Sequence, residues 1–591
     1  MRPIYNKPVT PRPKSETSKS ALRIQSLLQQ AVDLHQKGAF KEAADLYEHV
    51  LSIERNNFEA IHLLGLIAYQ THNAQKGVEW MRRALNINPR SIACMVNLGL
   101  AEHATGDLGN ATQRYLSALK IKRDFAQAHY NLANVYKDQK NWSAAILSYE
   151  AALSLKPDYW EAQLNLANVF ESTNQFERAL DSLNKVLFIN PYIAKAYNNR
   201  GNVNKKLENW LDANKDYDVS IQLDQSYIDV YVNKGNLLKD LGYWGPANEA
   251  YSCCLKINPQ HPKAIWNKSL LNLILGDFIQ GWQGYEARWN PANAEELNLI
   301  RNQLEGVKIN REWRGGGEIK GKKLLLYAEQ GLGDSIQFVR FVPQLMEMGA
   351  VVYLVVQSQL IELFKQIKGV SLLLAMGAPL PEYDLSCPLM SLPLVLKINT
   401  EEQFDRSPYI RSDPRKVEQW ETRLAQIRPR PQFEHSEKRS SLRIGVAWRG
   451  SAVHANDKYR SLPYADFIEC LPGEAHYISL QKDVSEAEKG LLLQDNILID
   501  CTENLTDFSE TAALCATLDL VICVDTSVAH LAAAMGKEVW VLLPFSPDWR
   551  WMINRKDSPW YGKVTLFRQT IWGDWSGVLK LVKQTLTQKM V

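Results

Sequence analysis

Two architectures follow one another in this sequence: an α-helical repeat superhelix, then a pair of α/β lobes built on parallel sheets. Three observations predict them. A period of 34 residues runs from residue 24 through eight blocks without an insertion. After about residue 296 the period stops, and short apolar strand-like runs alternate with stretches of helical spacing. The chain has 591 residues, 46% hydrophobic and 23% charged, enough for about four domain-sized folded units.

The repeat comes first. Block position 8 is small throughout: Ala31, Gly65, Gly99, Ala133, Ala167, Gly201, Gly235 and Ser269. Position 20 is Ala or Gly from Ala43 to Gly281. Position 24 is bulky, as at Tyr47, Met81, Tyr115, Tyr149, Leu183, Tyr217, Tyr251 and Tyr285. Small residues let two antiparallel helices approach, and the bulky residue fills the space between pairs. Pro89, Pro157, Pro191 and Pro259 close their blocks, because proline cannot continue a helix. The unit closely resembles the tetratricopeptide repeat, a helix–turn–helix element that stacks into a superhelix. The array is assigned to residues 24–295, behind a basic, proline-rich tail, 1–23, expected to be disordered.

The groove of such an array is lined by the first helix of each unit. Position 6 reads Asn97, Asn131, Asn165, Asn199, Asn233 and Asn267; position 9 reads Asn134, Asn168, Asn202 and Asn236. An Asn amide both donates and accepts. This ladder reads either as a device that binds the backbone of an extended peptide or as hydrogen bonding within the repeats. A protein or peptide partner is expected.

A Gly/Lys linker spans 296–320. The first lobe, 321–400, opens with a buried strand at 323–328, a tight turn at 329–334 and helical spacing over 335–348. A second strand at 351–356 and a helix over 360–368 follow. A charged, proline-bearing connector, 401–441, leads to the second lobe, 442–571. There, strands are predicted at 443–448, 476–480, 496–500, 518–525 and 538–544, with helices over 511–516 and 526–535. A final helix lies within 572–591.

Three motifs carry chemistry. GLGDSIQ (331–337) sits at a strand-to-helix turn, where Gly333 permits close approach and Asp334 stands at a helix start. VDTSVAHLAAAMG (524–536) places Asp525, Thr526 and Ser527 at a helix N-terminus, with His530 one turn in. Free N–H groups and the dipole make such an end an anion site. WRGSAVHANDKYRSLP (448–463) supplies Arg449, Asn456, Asp457, Lys458 and Arg460 on a polar loop after a strand. A fourth segment, PFSPDWRWM (544–552), places Asp548 and Arg550 between aromatics.

With these motifs the second half resembles GT-B glycosyltransferases, most of all the heptosyltransferase-like glycosyltransferase family 9. The resemblance implies Asp334 as the general base that deprotonates an acceptor hydroxyl. It implies a donor diphosphate held by Asp525, Thr526, Ser527 and His530, with Arg460, Lys458 and Gly333 beside it. The layout is similar to that of the O-linked N-acetylglucosamine transferases. The function expected is transfer of a sugar from a nucleotide-diphosphate donor to a hydroxyl acceptor recruited by the repeats. The donor is a co-substrate, and no cofactor and no metal are expected. A non-catalytic repeat scaffold with a retired transferase half is the alternative. An epimerase acting on the donor alone is a third reading.

Composition narrows the field further. Basic residues number 68 against 65 acidic, a net of +3, which argues against a dedicated nucleic-acid binder. No run approaches the ~18 apolar residues of a membrane span. Eight cysteines, with no CxxC pair and with Cys253 adjacent to Cys254, suit a reducing compartment, so a cytoplasmic location is expected.

Overall fold

The computed structural model describes residues 18–294, 307, 309–427, 442–451, 457–472, 475–495 and 497–590. The chain divides into two compact units, Met1–Val230 and Tyr231–Val591.

In the first unit, helices pair in the expected register, from Ser18–Gln36 with Phe40–Ile53 to Ala194–Lys206 with Trp210–Leu223. The first helix begins at Ser18, so the expected tail is shorter than 1–23; residues 1–17 lie outside the described residues. Each inter-helix turn places block position 15 at positive φ, whether it is glycine (Gly38, Gly106) or not (His72, Lys140, Asn174, Glu208). The turn itself demands that conformation, and four side chains accept the strain of it. Close helix approach is equally visible: a Cβ on Gly201 would lie 2.6 Å from the Tyr217 ring.

The asparagine ladder is bonded within the repeats. Asn134 Oδ1 accepts from the Tyr149 hydroxyl (2.6 Å) and from Asn165 Nδ2 (2.9 Å). Asn202 accepts from Tyr217 (2.9 Å), and Asn168 from Asn199 Nδ2 (2.8 Å). Asn97 pairs with His62 at 3.1 Å, and Asn131 accepts from Gln127 at 3.1 Å. Asn97 and Asn131 are both 0% exposed, so the peptide-binding expectation for these two is corrected: no atom of either reaches a ligand. Asn134 and Asn199 are also buried. Position 9 serves the tyrosine at position 24. Where that position holds Leu100 instead, the buried Tyr115 hydroxyl has no partner.

The second unit holds the last repeat helices and both lobes. The helices Trp244–Ile257, Pro262–Ile274 and Phe278–Tyr285 share one core with the first lobe. Trp282 donates Nε1–H to the Ile398 carbonyl at 2.9 Å. The closing repeats keep the 34-residue register up to Tyr285 and at the same time pack into the core of the α/β unit. Tyr251 here donates to Asn236 at 2.7 Å, as in the first unit.

The first lobe is a parallel sheet of β1 (Lys323–Tyr327), β2 (Val351–Val356), β3 (Val370–Ala375) and β4 (Leu385–Pro388), ordered β3-β2-β1-β4. The second contains β5 (Arg443–Ala447), β6 (His476–Ser479), β7 (Leu498–Ile499), β8 (Leu520–Val524), β9 (Val539–Leu543) and β10 (Val564–Arg568), ordered β10-β9-β8-β5-β6-β7. All pairings among the described strands are parallel, and β5, β8 and β9 of the second sheet are buried along their length, as a sheet covered on both faces requires.

Several expected elements differ. The helical spacing over 335–348 resolves into Leu332–Phe338, a 3-10 turn and Val342–Glu347, because Pro343 in the first turn of the last piece cannot donate to the ladder. The helix expected over 360–368 reduces to Ile361–Phe364. β10 was not anticipated. Within the expected linker, Trp313 is buried and donates its N–H to the Ser386 carbonyl at 2.7 Å; residues 295–306 and 308 lie outside the described residues. The connector carries the helix Pro414–Ile427, whose Trp420 Nε1 donates to Glu510 of the second lobe at 3.0 Å; residues 428–441 are not described.

The tyrosine–asparagine pairs make a prediction. Tyr149→Phe in the full chain leaves a buried amide oxygen with one partner fewer and lowers the stability of the repeats by about 1 kcal/mol. Tyr115→Phe removes an unpartnered hydroxyl and is neutral or stabilising. Urea unfolding followed by hydrogen exchange of the repeats measures both; equal losses in the two variants contradict the assignment.

Candidate functional site

The segments that follow the carboxyl ends of β1, β5, β8 and β9 meet between the lobes, the side of open parallel sheets where ligands bind. After β1, the chain turns at 329–331 and starts the helix Leu332–Phe338. Asp334 is at the third helical position, and its Oδ2 accepts the Gly331 N–H at 2.8 Å. Its other oxygen pairs with Arg550 Nη2 of the second lobe. The side chain keeps 20% exposure, so the carboxylate is held yet reachable.

Arg550, from the fourth segment, is the centre of the site. It follows β9, its side chain 9% exposed. Nε donates to Gln337 Oε1 at 2.9 Å and Nη1 to Asp548 at 2.8 Å, while Nη2 meets Asp334. Its charge is compensated by carboxylates from both lobes, which hold the guanidinium's pKa well above its ordinary value despite burial. The only signal in the sequence was an Asp–Trp–Arg–Trp run after a strand.

After β8, Thr526 caps the helix Ser527–Ala534 with no side-chain capping bond, and its buried Oγ1 has no hydrogen-bond partner. That hydroxyl and the helix's first N–H groups are what an anion would meet. Burial pushes the Asp525 carboxyl up to about 6, with Asp548 adding to the rise and Arg460 opposing it. Arg460 lies on the short helix Asp457–Arg460. It donates Nη1–H to the Asp525 carbonyl at 3.2 Å and pairs with Asp457 at 3.3 Å. Arg460 therefore stands beside the Thr526 end of the helix. Lys458 is exposed and lies 4.5 Å over the Tyr459 ring. Asn456 lies outside the described residues. Arg449 pairs with Glu488 at 3.0 Å and donates to the Asp483 carbonyl at 2.8 Å.

His530 is buried, its Nδ1 hydrogen-bonded to the Tyr561 hydroxyl at 2.9 Å and its ring stacked on Trp551 at 5.2 Å. Burial, helped by Arg550, drives its pKa down to about 3, so the ring is neutral at pH 7. Gly333 is a packing requirement: a Cβ there would stand 3.0 Å from His530 Cδ2. It lets the two site helices meet across the cleft. Arg340 and Tyr409, which sequence reasoning missed, brace the same contact. Arg340 donates to Tyr409 Oη (3.0 Å) and to the Trp560 carbonyl (2.8 Å), and Tyr409 donates to the Ile336 carbonyl (2.9 Å).

Among the described residues, no group of three or more His, Cys, Asp or Glu is placed to hold a metal ion. No helix among them is long and apolar enough to cross a membrane.

The neutral His530 predicts a pH dependence. Its folded pKa lies below the ordinary 6.5, so stability is intact above pH 6.5 and declines as pH falls towards 3, as the unfolded chain takes up the proton first. The slope reaches at most about 1.4 kcal/mol per pH unit. Asp525 acts in the opposite sense between its ordinary value and about 6. His530→Gln should therefore flatten the acid loss of stability between pH 6 and 4, measured by thermal unfolding at stepped pH. An unchanged slope contradicts a buried neutral ring.

Models of the tetratricopeptide repeat match residues 99–140 and 130–192, and the model of glycosyltransferase family 9 (heptosyltransferase) matches residues 501–551. The last stretch contains Asp525, Thr526, His530 and Arg550 but neither Asp334 nor Arg460. Protein FlbA of Caulobacter vibrioides is 25% identical over 343 residues, a match that covers 54% of this chain and 54% of that protein, about half its length. A tetratricopeptide repeat protein of Parabacteroides merdae aligns over 42% of this chain and 98% of its own at 16% identity, with a TM-score of 0.36. PilF of Pseudomonas aeruginosa aligns over 35% and 94% at 20% identity, with a TM-score of 0.32. The chain is thus similar to tetratricopeptide repeat proteins over residues 99–192 and to glycosyltransferase family 9 (heptosyltransferase) over residues 501–551.

Proposed function

We propose that this protein transfers a sugar from a nucleotide-diphosphate donor to a hydroxyl of an acceptor recruited by the repeats. The observation that carries the reading is the meeting of a carboxylate from one lobe, Asp334, with an open helix N-terminus of the other, at Thr526, within one cleft. The donor diphosphate lies against the N–H groups of Thr526 and Ser527 and the Thr526 hydroxyl, with Arg460 and Lys458 as cations. These groups take up charge as the nucleotide leaves, which lowers the barrier most where the stabilisation is already in place. Neutral His530 serves as a hydrogen-bonding group or a wall, because a ring so reluctant to protonate contributes no charge.

Asp334 acts as the general base. Its oxygens accept from Gly331 and Arg550, contacts that hold the carboxylate in place, and the side chain keeps 20% exposure towards an acceptor hydroxyl. The acceptor is delivered by the repeats. The part-exposed Asn165, Asn168 and Asn202 of the first unit, and Asn233, Asn236 and Asn267 of the second, serve a protein or peptide partner. The oxygens of Asn168, Asn202 and Asn236 are fixed by internal bonds, so it is the NH2 groups that meet the ligand's carbonyls.

Titration calorimetry of UDP, GDP, ADP, CMP and dTDP against the full chain tests the donor site. One nucleotide should bind at micromolar affinity, weakened by a factor of about 10 or more in Arg460→Ala, as expected for loss of a charge-assisted phosphate contact. With that donor sugar, Asp334→Asn should keep the affinity and lose on the order of 100-fold or more in turnover. Affinities no tighter than millimolar for all five nucleotides would overturn the reading.

A further inference from the structure

The turn that carries Asp334 is gripped from the repeat side by a buried ion pair. The last repeat helix, Phe278–Tyr285, runs into a 3-10 turn, Glu286–Trp289, that brings Arg288 against the end of β1. Arg288 Nη2 donates to Glu329 Oε1 at 3.0 Å and to Ser391 Oγ at 2.6 Å. Nη1 donates to Glu286 Oε1 at 2.6 Å and to the Tyr285 carbonyl at 3.2 Å. The guanidinium also lies over the Trp289 ring at 4.8 Å. The side chains of Arg288 and Glu329 are both 0% exposed.

Glu329 begins the turn that Asp334 ends. Its Oε1 also accepts the Met390 N–H at 3.3 Å, and its Oε2 is buried without a partner. The next residue, Gln330, has its carbonyl held by Gln357 Nε2 at 2.7 Å, and Gln357 in turn accepts from the Ser335 hydroxyl at 2.8 Å. Thus the turn is pinned at Glu329 by the repeats and at Gln330 and Ser335 by β2's edge. A buried carboxylate is costly, and burial pushes Glu329 up to about 7 even with Arg288 opposing. A plain β1 terminus has no need of one.

We infer that Arg288 is a positioning residue for Asp334: through Glu329 it sets the 329–334 turn, which makes the segment closing the repeat array a working part of the catalytic centre. The inference rests on Asp334 acting as the base of the proposed transfer. It adds that the closing repeat orients that base.

The test is hydrogen–deuterium exchange on the full chain, with donor-nucleotide binding and turnover measured on the same variants. Glu329→Gln keeps shape and removes the charge; Arg288→Lys keeps the charge and removes the fork; Arg288→Ala removes both. In Glu329→Gln and Arg288→Ala, amide exchange over 329–338 should rise about tenfold or more, while residues 40–200 exchange as in the wild type. Turnover should fall with the donor KM nearly unchanged, and Arg288→Lys should recover part of both signals. Exchange over 329–338 that stays at the wild-type rate in a folded Glu329→Gln variant overturns the inference. So does a uniform rise across the second unit, which marks a merely structural pair. A local rise in a wild-type background that shows no turnover supports the coupling and removes the transferase reading, so the two failures are told apart.

Discussion

A guanidinium shared between two lobes fixes the geometry of the cleft. Arg550 comes from the loop after β9, yet two of its three side-chain partners, Asp334 and Gln337, belong to the helix after β1. An arginine this buried is tolerable only when carboxylates and amide oxygens meet its N–H groups. The lobes must therefore meet with Asp334 close to the second sheet. Gly333 and His530 show how closely, since an added Cβ would stand only 3.0 Å from the ring. The same closeness places the proposed base within one cleft with the Thr526 helix end. Arg340 and Tyr409 add a second set of hydrogen bonds across this contact, so orientation is fixed by two sets of contacts.

Polar groups buried inside the repeats obey the same accounting. A tyrosine at block position 24 brings a hydroxyl into a helix–helix interface. An asparagine at position 9 of the same unit accepts its proton, as in Tyr149–Asn134, Tyr217–Asn202 and Tyr251–Asn236. Side chains that look like a peptide ladder in the sequence are first of all an internal requirement. Only afterwards does the remaining NH2 face become available to a ligand. The buried Asn97 and Asn131 have no such face.

The architecture was legible because it is periodic. A 34-residue register fixes every helix pair, and the apolar runs of β1, β5, β8 and β9 announce buried parallel strands. Short elements were less legible. Pro343 interrupts what reads as one helix, and β10 carries the polar Thr565 and Arg568 among its apolar residues. At the site, Asp334, Thr526 and Arg460 stood out because each sits in a recognisable turn. Arg550 did not, since an Arg between two tryptophans reads equally well as packing. Its importance comes from partners more than 200 residues away, which a local pattern does not encode. Arg288 and Glu329 escaped for the same reason: each is an ordinary charged residue until the fold buries both together.

The most direct test of this account is a double-mutant cycle on Asp334 and Arg550, using Asp334→Asn, Arg550→Lys and the pair, with unfolding of the second unit as the readout. A buried interlobe pair predicts strong non-additivity, a coupling of roughly 1.5–3 kcal/mol. Effects that add to within about 0.5 kcal/mol would mean the two side chains do not sense one another. The cleft would then be two separate lobe surfaces and not one assembled site.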